Sequence, residues 1–279
     1  PMVNAVYAAP QEYSPLMLLL ATYCFALQIY CDFSGYSDMA IGAARIMGFN
    51  LMTNFKRPYF SSSVQEFWRR WHISLSTWFK DYLYVPLGGS RTSEARLYFN
   101  ILVVFLVSGF WHGANWTYIV WGALHGAYIM LGRAFSALNR LAKVPSNFPL
   151  SNLLSVLLTF NLVSVAWIFF RATNLHDAWL ITLRIFTGLP EILQQLVLGR
   201  LPPLTAEIAR LNIERSELFL TCFFVLVLVF AEYLQERYNV GELMPKLPLV
   251  VRWPLYYAAA GAIVFLGASR AQQFIYFQF

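Results

Sequence analysis

Charged side chains are absent from Leu97 to Gly132, an interval long enough for more than one helical crossing of a bilayer at roughly 1.5 Å per residue. The run predicts two helices with a break at Ser108-Gly109-Phe110-Trp111-His112-Gly113, where two glycines flank a polar centre. Irregular backbone at membrane depth persists only where protein buries it or where it lines a cavity, so the break is a natural place for a site. Four further apolar runs predict spans: Leu16 to Cys31, Leu153 to Phe170, Leu218 to Leu234 and Pro254 to Ala268. The first is short for a crossing. Asp32 to Asp38 follows it, and Ser34, Ser37 or Asp38 is expected to cap the small-residue helix beyond.

The loops between these runs suggest an orientation. Arg133, Arg140 and Lys143 fill one, and Arg237, Lys246 and Arg252 another; the positive-inside tendency places both in the cytoplasm. The intervening stretch from Arg171 to Glu217 carries five Arg and five acidic residues and is expected outside. Gly, Pro and polar residues from Thr187 to Pro203 predict a loop or short amphipathic helices within it.

Composition agrees with lipid as the solvent: 58% of the 279 residues are hydrophobic and 12% charged, far from a soluble domain's balance. The aromatic share of 18% fits several crossings, since such rings concentrate where hydrocarbon meets headgroups. A net charge of +6 does not imply nucleic acid, because Lys and Arg are scattered between apolar runs as loop anchors. Cys24, Cys31 and Cys222 form neither a CxxC pair nor a Cys/His metal spacing, so neither a disulfide framework nor a metal site is predicted. The opening Pro1-Met2-Val3 lacks a basic region leading into an apolar signal core and reads as entry partway through a longer chain.

Two segments carry candidate chemistry. Ser63 to Tyr82 has the aromatic and basic mixture of an interfacial helix; as one continuous helix it gathers Trp68, Trp71, Leu75, Trp78, Phe79 and Tyr82 on one arc. His72 then lies at the border of that arc, with Arg69 and Ser76 near its polar side. A packed aromatic role for His72 is as plausible as a catalytic one on these residues alone. His112, inside the charge-free interval and beside flexible backbone, is the stronger candidate, because an ionisable group at membrane depth implies function by default. Burial would keep its imidazole neutral, as a proton-accepting base requires. Asn115 is placed to orient it or to polarise a carbonyl. His125, between Leu124 and Gly126, reads as a packed core histidine, and His176 as a loop or helix-start residue.

Three stretches carry a resemblance: Gln28-Ile29-Tyr30-Cys31-Asp32-Phe33-Ser34-Gly35-Tyr36-Ser37-Asp38-Met39-Ala40-Ile41-Gly42, Phe67-Trp68-Arg69-Arg70-Trp71-His72-Ile73-Ser74-Leu75-Ser76-Thr77-Trp78, and Trp111-His112-Gly113-Ala114-Asn115. In them the chain resembles the membrane-bound O-acyltransferase family, in its bacterial alginate O-acetylase and teichoic-acid D-alanyl transferase branch. The resemblance implies an all-α polytopic membrane protein, a helical bundle with interfacial or re-entrant helices around a tunnel. It makes residues 1–279 the C-terminal catalytic portion of one membrane domain, with further N-terminal spans expected before Pro1. Cys31 stands where relatives often have Phe.

The resemblance also implies that His112 is the catalytic histidine and that His72 lines the same tunnel, with Trp71, Trp111 and Asn115 beside the substrate. An acyl thioester, acetyl-CoA or a similar donor, would approach from the cytoplasm, and Arg69, Arg70 and Lys80 would attract its phosphates. The acyl group would pass across the bacterial inner membrane to an extracytoplasmic acyltransferase partner, so that the polysaccharide acceptor is reached indirectly. Near the chain's end, Phe274-Ile275-Tyr276-Phe277-Gln278-Phe279 resembles an aromatic-Tyr motif proposed to carry the acyl group, which nominates Tyr276 as an attacking hydroxyl. Two other classes remain open from the residues themselves, a transporter or channel component and a noncatalytic scaffold of a polymer-modifying complex.

Overall fold

The computed structural model describes residues 2–141, 149–199, 202–238 and 240–267. Among them every regular element is helical, and the chain divides into two compact units, residues 1–212 and 213–278.

The first unit begins with α1 (Met2–Ala8) and α2 (Pro15–Ile46). Ser14 caps α2 by accepting from the Met17 amide, and Pro15 occupies the first turn, where its missing N–H has no intrahelical partner to lose. The helix has 32 residues and runs through Asp32 to Asp38 without interruption. The expected cap at Ser34, Ser37 or Asp38 is therefore absent: one apolar face, with Phe25, Ala26, Ile29 and Phe33 buried, keeps the helix packed past the polar residues. Two short helices follow, α3 (Val64–Arg70) and α4 (Ile73–Phe79), and a π-helical turn over Lys80–Tyr84.

The charge-free interval forms α5 (Glu94–His112) and α6 (Trp116–Leu141). The break lies slightly later than expected, at Gly113-Ala114-Asn115, so that His112 ends a helix instead of sitting in irregular chain. One glycine on each helix, Gly109 and Gly122, serves close packing of α5 against α6. A Cβ on Gly109 would collide with the Tyr118 carbonyl, and one on Gly122 with the Phe105 carbonyl, which is how small residues let membrane helices approach. Next come α7 (Pro149–Arg171), α8 (Leu175–Thr187), α9 (Leu189–Leu198) and α10 (Pro202–Arg210); α9 is a short helix of the kind expected between Thr187 and Pro203, and α10 begins at the end of that stretch. From α10, the buried Glu207 reaches back to the start of α2, accepting from the Ser14 amide at 2.6 Å and its hydroxyl at 2.7 Å.

The second unit contains α11 (Arg215–Arg237), α12 (Val240–Leu243) and α13 (Leu249–Leu266). Among the described residues four helices are long and apolar enough to cross a membrane, namely Pro15–Ile46, Glu94–His112, Asn152–Arg171 and Arg215–Arg237, with Leu249–Phe265 a shorter apolar helix.

Candidate active site

His112 closes α5, and its ring sits in an aromatic enclosure. Trp111 lies 4.9 Å away between centroids, Trp121 of α6 5.1 Å and Phe170 of α7 5.2 Å, all edge-on. Edge-to-face contacts of this kind fix ring orientation. Trp121 and Phe170 are buried, whereas Trp111 is exposed.

His72 lies between α3 and α4. The expected continuous helix from Ser63 to Tyr82 is broken at Trp71-His72: Trp71 is extended and His72 takes the left-handed conformation at φ 43°. That conformation is uncommon for a residue with a side chain and points to local constraint. The constraint is visible. Lys56 N–H donates to the Arg70 carbonyl at 2.9 Å and Ile73 N–H to the Asn54 carbonyl at 3.0 Å, so the loop before α3 brackets the break. The His72 ring packs edge-on against Phe33 of α2 at 4.7 Å. Burial pushes its pKa down to about 4, against a hydrogen bond to its own backbone carbonyl that favours the charged form. Ile73, next to His72, and Ser108, one turn before His112, line one cavity, so both nominated histidines border it without lining it themselves.

The other nominated residues separate. Trp71 is 1% exposed and packs among Phe55, Phe67 and Trp167 at 5.0 to 5.5 Å, which makes it core beneath the site. Asn115 donates to the Thr173 carbonyl at 3.1 Å and accepts from the Thr117 amide at 3.1 Å, capping α6 and tying it to the end of α7. Arg70 pairs with Glu66 at 2.6 Å. Burial works against the Glu66 carboxylate, but the Ser62 amide and hydroxyl together with Arg70 hold it below the usual range. Arg69 instead lines a cavity of about 650 Å³ with Lys80 and Arg133, whose inner wall includes Trp68, Phe105 and Ser108. Ser108 lies one turn before His112 on α5 and on the same helix face. Tyr276 lies outside the described residues.

Three contributors escaped the sequence reading. Arg133, expected only as a loop anchor, joins the cavity. Asn54 and Ser74 hold the His72 break, a role invisible in a linear pattern because Asn54 is 20 residues from Ser74. His125 is fully buried, as expected for a core histidine, and its Nδ1 accepts from the Trp68 indole at 3.2 Å, joining α3 to α6.

The family model of the membrane-bound O-acyltransferases matches residues 3–172, which hold both histidines and the cavity. The chain is 51% identical over 160 residues to "Probable alginate O-acetylase AlgI" of Pseudomonas aeruginosa, covering 57% of this chain and 29% of that protein. It is 49% identical over 154 residues to the peptidoglycan O-acetyltransferase of Helicobacter pylori, covering 55% and 28%. With the teichoic acid D-alanyltransferase of Streptococcus thermophilus it shares 31% over 177 residues, 56% and 41% of the two chains. The matched region thus spans less than half the length of each of these relatives. A family match across more than half of the chain, together with apolar helices that suit a bilayer, establishes that this chain belongs to the membrane-bound O-acyltransferase family.

Proposed function

We propose that the chain supplies the reaction site of a membrane O-acyltransferase, which moves an acetyl-type group from a cytoplasmic thioester towards an extracytoplasmic polysaccharide. The observation that carries this reading is a cavity lined by Arg69, Lys80 and Arg133 that also takes in Ile73, next to His72, and Ser108, one turn before His112. In the reaction, an acceptor hydroxyl attacks the thioester carbonyl; its C–O bond forms as the C–S bond breaks. His112 takes the hydroxyl proton and returns it to the departing thiolate. Arg69, Lys80 and Arg133 give the cavity a charge suited to the phosphates of a donor such as acetyl-CoA, while Phe105 and Trp68 suit its apolar arm.

The names of three relatives support an acyl group as cargo. Two are named for acetyl transfer or acetylation and one for D-alanyl transfer, and both groups are small. The acceptor side of the reading includes an extracytoplasmic acyltransferase partner and an inner-membrane location, with Tyr276 as the hydroxyl that carries the acyl group outward.

The test is acetyl transfer by the full-length protein in its native membrane, comparing His112→Ala with the unaltered chain at matched membrane abundance. The expected result is loss of transfer with insertion retained. Near-normal transfer would remove His112 as the base and favour a transport or scaffold role.

A further inference from the structure

The hydrogen bonds around His72 determine which of its nitrogens carries the proton. Ser74 N–H lies 3.1 Å from Oδ1 of Asn54. A backbone amide only donates, so the atom facing it is the amide oxygen of Asn54 and not its nitrogen. The Ser74 hydroxyl lies 3.0 Å from the same oxygen, and a carbonyl oxygen only accepts, so the hydroxyl's single proton is committed there. Towards Nδ1 of His72, at 3.4 Å, that hydroxyl is left with lone pairs alone. Nδ1 must therefore be the donor.

Asn54 is itself fixed. Its Nδ2 donates to Ser37 Oγ on α2 at 3.3 Å, and its backbone carbonyl accepts from Ile73 at 3.0 Å. The relay thus runs from α2 through the loop to the first turn of α4, and it ends on an imidazole whose backbone is held in the left-handed region.

We propose that Asn54 and Ser74 are positioning residues that lock His72 as the Nδ1–H tautomer and so present its Nε2 as a bare hydrogen-bond acceptor to the reaction site. The second nitrogen's use there rests on the proposed acyl transfer; the tautomer does not. A bare Nε2 can accept a hydrogen bond at the reaction site while His112 serves as the base, whereas an Nε2–H would offer a donor and lose that role.

The experiment has two arms on the full-length protein. In the first, nitrogen NMR of the 15N-histidine-labelled protein, with His72 assigned by comparison with His72→Gln, reads the tautomer directly. The Nδ1–H form is expected in the unaltered chain and in Ser74→Thr, with loss of that preference in Ser74→Ala. An Nε2–H ring in the unaltered chain, or a tautomer indifferent to Ser74→Ala, overturns the proposal. In the second arm, Ser74→Ala and Asn54→Ala should lower kcat by roughly 10- to 100-fold, the scale of losing a histidine's orienting partner at metal sites, with KM little changed. Ser74→Thr should restore turnover, and Ser74→Ala should cost nothing further in a His72→Ala background. Additive losses there would mean a merely structural serine and would also overturn it. Full turnover by His72→Ala would instead refute the use of His72 in the reaction, leaving the first arm to decide the tautomer.

Discussion

A buried histidine is a pH-dependent element of stability as well as a candidate for chemistry. His72 is pushed down to about 4 from an ordinary 6.5, chiefly by burial. Below pH 6.5 the unfolded chain therefore binds a proton that the folded site resists until about pH 4, and the folded state loses stability across that interval. Thermal unfolding of the protein in detergent should show a midpoint that falls between pH 6.5 and 4, with a shallower fall in His72→Gln; equal slopes would mean that other groups dominate. At His125 the argument concerns hydrogen bonding. Trp68→Phe keeps an aromatic ring against Phe105 but leaves Nδ1 of a fully buried imidazole without its indole donor at 3.2 Å. The expected destabilisation is about 1–3 kcal/mol, measured by the same unfolding assay, whereas an unchanged midpoint would imply that another donor replaces the indole.

At the scale of elements, the pair α5 and α6 shows what a linear pattern can and cannot disclose. The charge-free run, its two glycines and His112 were legible, because lipid selects long apolar segments and leaves polar groups conspicuous. The break itself moved by a few residues. Phe110, Trp111 and His112 continue the helix, and Asn115 supplies the cap that starts the next one. The segment from Ser63 to Tyr82 misled in the opposite sense. Its aromatic arc suggests one helix, yet hydrogen bonds from Lys56 to Arg70 and from Ile73 to Asn54 divide it at His72, and such distant pairings leave no periodic signature. Trp71 looked like a site residue and is core for the same reason: the extended backbone there turns it towards Phe55 and Trp167. The glycines of α5 and α6 give a direct test. Gly109→Ala and Gly122→Ala each set a methyl against a carbonyl of the facing helix, and separating the helices should cost about 1–3 kcal/mol for each substitution. Gly132→Ala, with nothing within 4 Å of the added carbon, should be neutral or slightly stabilising.

Across the whole molecule, the orientation of the spans decides which side would receive the proposed donor, and the positive-inside tendency is the basis for placing Arg133 and its neighbouring cations in the cytoplasm. The cavity that holds Arg69, Lys80 and Arg133 would then open its cationic side towards a cytoplasmic thioester. The second unit offers an independent check on that orientation, because α11 is flanked by exposed residues at both ends. Glu214 precedes its 23 residues and Lys246 follows them; at roughly 1.5 Å per residue the helix is about 35 Å long, enough to cross the hydrocarbon once. A single crossing puts those two positions on opposite sides. In a background with Cys24, Cys31 and Cys222 replaced by Ser, Glu214→Cys should react with a membrane-impermeant maleimide in intact cells. Lys246→Cys should react only after the membrane is permeabilised. Labelling of both from outside would show that α11 lies along the surface, and the reverse pattern would invert the orientation, placing the cationic cavity on the side away from cytoplasmic thioesters.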